Sequence, residues 1–149
     1  MYRISDSPAL FLRQLGVKPS HTLALRNPPD AFAQPLAAAL PPDARLLPAG
    51  DTITPATVVI LWPHGMADMM SAIQARLQQG TASLTAFWVV IPKKPVAEKR
   101  GVDLFFQPVL DAVLPTGLVD NKTLTFSPDD YGIRFVVRKV ANRGFAPPA

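Results

Sequence analysis

Residues 58–62 read Val-Val-Ile-Leu-Trp, with Pro55 and Pro63 closing the run on either side. An apolar run without polar alternation is a strand buried on both faces, as parallel strands in the middle of a sheet are. A second such run, Ser83 to Ile91 (SLTAFWVVI), follows it. Between them Met66, Met69, Met70, Ile73 and Leu77 recur at helical spacing, which predicts a helix over 67–79 ended by Gly80. The methionines there fill gaps in a core. Strand, helix and strand in this order make a parallel crossover unit, and that unit sets the fold class as α/β.

The other elements are read off the prolines, 17 in all, which fall mostly between apolar runs. A short helix is expected over 5–15, with Ser7 as N-cap, Pro8 at the first helical position and Gly16 as the stop. Thr22–Arg26 is the first strand. Asp30 then caps a helix over 31–40 that carries Phe32, Leu36 and Leu40 on one face, and Pro41-Pro42 ends it. Residues 44–47 form a short edge strand. A further helix is expected over 102–114, capped by Asp103 and bent or restarted at Pro108. Residues 118–126 and 133–140 are two strands around Ser-Pro-Asp-Asp-Tyr-Gly, read as an antiparallel hairpin. Lys122 guards its edge, and Asp120-Asn121-Lys122 marks polar strand residues or a bulge. The expected architecture is a three-layer, Rossmann-like, mostly parallel sheet that ends in an antiparallel strand pair. Residues 1–140 form a single domain and 141–149 a disordered tail.

Several classes are set aside. The chain has 149 residues and no cysteine, so it has no disulfide, thiolate nucleophile or Cys-ligated zinc. No run approaches the ~20 apolar residues of a membrane span, and the N-terminus lacks the apolar core of a signal peptide. A cytoplasmic protein without membrane contact is expected. The net charge of +4 permits nucleic acid as a partner, but no basic stripe alternates with aromatics as single-strand binding would favour. His21 and His64 fall on opposite edges of the expected sheet and make no metal site.

Ligands of such sheets bind outside the carboxyl ends of the parallel strands. Three loops reach that edge: Asn27-Pro28-Pro29-Asp30, residues 63–66 and residues 92–101. Asn27 and Asp30 are ligand candidates in the first. His64 in the second is a ligand candidate and a weak candidate for a general base. Lys93, Lys94, Lys99 and Arg100 crowd the third and can hold a phosphate, a carboxylate or a nucleic-acid backbone, or form a solvated, mobile loop.

The stretches L-G-V-K-P (15–19), I-P-K-K (91–94), G-L-V-D-N-K (117–122) and R-F-V-V-R-K (134–139) span nearly the whole chain. In their order and spacing they resemble a small bacterial family of unknown function, a pared-down version of the S-adenosylmethionine-dependent methyltransferase fold. The resemblance implies that fold and no activity. One strand-helix unit is missing between Leu47 and Val58, where about ten residues cannot hold a crossover of a dozen or more. The methyltransferase cofactor loop resembles G-x-G-x-G, and Asn27-Pro28-Pro29-Asp30 stands in its place. Proline has no N–H to offer a ligand, and Asp30 adds a negative charge where the cofactor has its own carboxylate. Asp51 stands near the position of a ribose-binding carboxylate or is a turn residue. Asn-Pro-Pro also resembles the catalytic motif of amino-group methyltransferases, but here it follows the first strand and ends in Asp30. No cofactor is expected. The reading is a non-catalytic binding or scaffolding protein for an anionic ligand or acidic partner. The alternatives are an S-adenosylmethionine-dependent methyltransferase with an atypical loop, assisted by His64 or Asp30, and a nucleic-acid binder.

Overall fold

The computed structural model describes residues 2–48 and 54–138, so Asp51 and the tail 141–149 lie outside the described residues. One six-stranded sheet, ordered β2-β1-β3-β4-β6-β5, runs through the chain. Its strands are β1 (Thr22–Arg26), β2 (Arg45–Leu46), β3 (Val58–Leu61), β4 (Ala86–Pro92), β5 (Leu118–Thr125) and β6 (Asp130–Val137). The first four pair in parallel, β6 runs antiparallel to β4, and β5 pairs antiparallel with β6. This is the expected mostly parallel sheet closed by an antiparallel pair. Among the described residues it ends at the two-residue β2, and only residues 47–57 connect that strand across β1 to β3.

All of β3 and β4 is buried. Side chains of a strand point alternately to opposite faces, and here each set enters a different core. Val58, Ile60, Trp88 and Val90 meet Ile4, Phe11, Leu15, Phe32 and Leu36. Those residues come from helices α1 (Arg3–Asp6), α2 (Pro8–Leu15) and α3 (Asp30–Ala38). Val59, Leu61, Phe87, Val89 and Ile91 meet Met69, Ile73, Val109 and Val113. These belong to α4 (Met66–Gln78) and α6 (Phe106–Val113). The methionine stripe therefore serves the core, as its spacing requires. Arg76, 5% exposed, anchors the end of α4 by donating to the Ala56 carbonyl, the Gly80 carbonyl and the Ser83 hydroxyl at 2.9, 2.6 and 3.3 Å. Burial lowers its pKa.

Several boundaries differ from the sequence reading. The helix expected over 5–15 is two helices, because Pro8 drives Ser7 out of helical geometry, to φ −147° and ψ 78°. The Ser7 side chain makes no capping bond. Pro29 is the N-cap of α3 and Asp30 its first residue, so Asp30 favours the helix by charge alone. Pro35 sits inside α3 and deletes the bond to the Ala31 carbonyl; fully buried Phe32 and Leu36 hold the helix in place regardless. Pro108 neither bends nor restarts a helix. It lies in the first turn of α6, where an N–H has no intrahelical partner anyway, and Asp103 stands before that turn without capping it. Residues 94–100, read as loop, form a further helix, α5 (Lys94–Arg100). The ladder slips between Asp120 and Lys122, which is the bulge, on the edge strand β5.

Candidate functional site

The carboxyl ends of β1, β3 and β4 face the same way, and α3 and α4 leave β1 and β3 toward opposite faces of the sheet. The switch point at which a doubly wound sheet binds ligands therefore lies between β1 and β3. Asn27 stands there in the left-handed region, with φ 59°. Asparagine tolerates this conformation better than most residues. Its side-chain amide crosses the switch point, donating to the Trp62 carbonyl at 3.1 Å and to Asp68 Oδ2 at 3.3 Å. The same Asp68 oxygen accepts the His64 backbone N–H at 2.9 Å. Asp68 lies in the first turn of α4, so it completes the helix start much as a capping box does. Asn27 and His64 are thus brought together, through a residue the sequence reading passed over. An acid in the first helical turn, four positions beyond His64, was the available signal. Asp30 is exposed on the first turn of α3.

Below this bridge the edge is packed with rings. Trp62 meets Phe32 at 4.8 Å and Phe126 at 6.0 Å between centroids. Phe126 also contacts Phe11, Phe32 and Trp88 at 5.1, 5.4 and 6.0 Å. Tyr2 packs edge-on against Phe32. The Arg3 backbone N–H donates to the Phe126 carbonyl at 2.8 Å and ties the start of the chain to this cluster. Gly132 is required beneath it, since a Cβ there would lie 2.5 Å from Phe126 Cε1 and 3.0 Å from Trp88 Cε3. Burial raises the Tyr2 phenol pKa, and the charge of Asp130 adds to the shift.

The basic cluster divides. Lys93, Lys94 and Lys99 are exposed on or beside α5. Arg100 is not free: its guanidinium meets Asp130 at 3.3 Å and Asp129 at 4.0 Å. Asp129 lies in the turn between β5 and β6 and Asp130 opens β6; the Ser127 hydroxyl donates to Asp130 Oδ2 and accepts from the Asp129 and Asp130 backbone N–H groups. The Lys93 N–H donates to the Asp129 carbonyl at 2.8 Å. The start and end of α5 are therefore both fastened to this hairpin turn. His21 lies at the amino end of β1, on the opposite edge. Among the described residues no group of three or more His, Cys, Asp or Glu side chains could hold a metal ion, and no helix is long and apolar enough to cross a membrane.

The switch point lacks the glycine-rich loop that offers backbone N–H groups to a ligand. The Asn27 amide is committed to Trp62 and Asp68, Pro28 and Pro29 offer no N–H, and Asp30 leaves a carboxylate at the start of α3. Comparison with solved structures nevertheless identifies the architecture. A SAM-dependent methyltransferase from Aquifex aeolicus matches with a TM-score of 0.57 and 11% identity, over 88% of this chain and 90% of that one. The N-methyltransferase NodS from Bradyrhizobium japonicum WM9 matches with a TM-score of 0.57 and 13% identity, over 91% and 97%. Magnesium protoporphyrin IX methyltransferase from Synechocystis PCC 6803 matches at 0.52 and 13%, over 90% and 81%. No family model matches the sequence, and no curated protein matches it. The fold is methyltransferase-like.

Proposed function

We propose that this chain is a non-catalytic binding protein on a methyltransferase-like fold, with α5 as the segment that meets an anionic ligand or an acidic partner surface. The observation that carries this reading is the Asn27 side chain, which joins β1 to β3 across the switch point by its bonds to Trp62 and Asp68. A cofactor entering there must break both bonds and gains no backbone N–H from Pro28 or Pro29 in return. Lys93, Lys94 and Lys99 remain exposed one strand further along.

Thermal unfolding with and without S-adenosylmethionine and S-adenosylhomocysteine tests the reading. A ligand at ~100 times its dissociation constant stabilises by about 2.7 kcal/mol, a shift on the order of 5 °C. We expect no shift from either. A clear shift overturns the reading in favour of an active methyltransferase with an atypical loop, an alternative that the shared fold supports. That alternative further requires loss of turnover in His64→Ala.

A further inference from the structure

The exposed cations of α5 are not alone at their edge of the sheet. A cavity of about 540 Å³ opens between α5, the start of α6 and the start of β6. Phe105, Phe106 and Tyr131 line it with rings, Pro92 lies among them, and Lys94 and Glu98 supply its charges. Its volume is within the range of roughly 300–1,000 Å³ typical of small-molecule sites. Phe106 is 38% exposed, one of two large apolar side chains among the described residues that remain so open. Among the described residues neither Lys94 nor Glu98 takes part in an ion pair, although they stand four apart on one helix, whereas Arg100 beside them pairs with Asp129 and Asp130. Asn27, Asp30 and His64 do not border this cavity. A cavity of about 260 Å³ between β1, β3 and α4 is a weaker candidate, because its guanidinium, Arg76, already donates to Ala56, Gly80 and Ser83.

We infer that the Lys94–Phe106–Tyr131 cavity binds a planar aromatic monocarboxylate that carries an amino or hydroxyl donor, such as an aminobenzoate. The inference rests on the reading of α5 as an anion-binding segment and names the ligand class. The rings of Phe105, Phe106 and Tyr131 offer stacking and edge contacts to a flat ligand. Lys94 pairs with its carboxylate. Glu98, one helical turn away, accepts from the ring donor and repels a second negative charge, which disfavours phosphate dianions. Burial raises the Tyr131 phenol pKa, so the phenol stays protonated and can donate at neutral pH.

Titration of the full chain with 4-aminobenzoate, followed by calorimetry and by backbone amide shifts, tests this. Saturable binding with shifts confined to residues around Lys94, Phe106 and Tyr131 is expected. Lys94→Met should weaken binding about tenfold, the worth of one charge-assisted hydrogen bond. Phe106→Ala should weaken it several-fold, and Lys18→Met on the opposite edge should leave it unchanged. Both Lys94 and Phe106 are exposed, and far-ultraviolet circular dichroism checks that each variant folds. Absence of saturation at millimolar ligand, or equal affinity in Lys94→Met, overturns the inference. Binding of polyglutamate that is lost in Lys93→Glu/Lys94→Glu, without binding of 4-aminobenzoate, overturns the aromatic ligand and leaves the broader reading standing. Binding of S-adenosylhomocysteine instead overturns the broader reading.

Discussion

The carboxyl ends of β1 and β3 and the carboxyl end of β4 lie on one edge of one sheet, yet the two regions use their polar groups differently. At β1 and β3 the Asn27 amide is bonded to Trp62 and Asp68. The Asn27 side chain and the His64 backbone N–H converge on Asp68, and rings from Tyr2, Phe32, Trp62 and Phe126 pack below them. Beyond β4, α5 is fastened by the Arg100 side chain and the Lys93 N–H to Asp129 and Asp130, but among the described residues the side chains of Lys93, Lys94 and Glu98 have no ion-pair partners. At the switch point the Asn27 amide is spent on Trp62 and Asp68 although the residue is exposed.

Substitutions at the closed region should cost stability, and substitutions at the open one should not. The largest effect is expected for Phe126→Ala, since the ring is fully buried among Phe11, Phe32, Trp62 and Trp88. Its removal should cost about 3–5 kcal/mol in urea unfolding. A loss below about 1 kcal/mol would show that the rings do not hold this edge together. Asn27→Ala comes next. It removes two hydrogen bonds and leaves a non-glycine residue at φ 59°, at a cost of about 1–2 kcal/mol. Asn27→Gly should be milder, because glycine accepts that φ. Neither variant should gain a thermal shift with S-adenosylhomocysteine, since Pro28, Pro29 and the rings remain. Lys94→Met, in the open region, should stay within about 0.5 kcal/mol of the parent. A cost equal to that of Asn27→Ala would erase the contrast between the two regions.

The same contrast explains what the sequence revealed. Residues 58–62 and 83–91 announce the central strands because both faces are buried and no polar residue interrupts them. The helix α5 was not legible: it has Pro95 in its first turn, charges along its length and only Ala97 buried, so no apolar period marks it. The four cations of 93–100 looked equivalent in the sequence. Arg100 departs from the others because its carboxylate partners, Asp129 and Asp130, lie about thirty residues further along, and only the sheet brings them together. Asn27 was singled out for its place in the chain, but its bond to Asp68 depends on the β1–β3 pairing, which no local pattern encodes. The carboxyl-end edge and its three loops were therefore legible from element order, while the Asn27–Asp68 bond across β1 and β3 required tertiary contacts.

The amino ends of the strands provide a third environment, and the smallest predicted effect separates it from both regions of the ligand edge. His21 accepts the Lys18 backbone N–H through Nδ1 at 3.1 Å, which requires that nitrogen to be unprotonated. Burial lowers its pKa below the ordinary 6.5, and the Lys18 charge adds to the shift. In the window between the two values the unfolded chain binds more protons than the folded one, so stability rises with pH. Stability contributed by neutral His21 is present above about pH 6.5 and is lost as pH falls through the folded value. The melting temperature should therefore drop on acidification from about pH 7 to about pH 5, and His21→Ala should flatten that slope while costing little at pH 7. An unchanged slope in His21→Ala would place the pH sensitivity elsewhere and leave this environment no different from the other two.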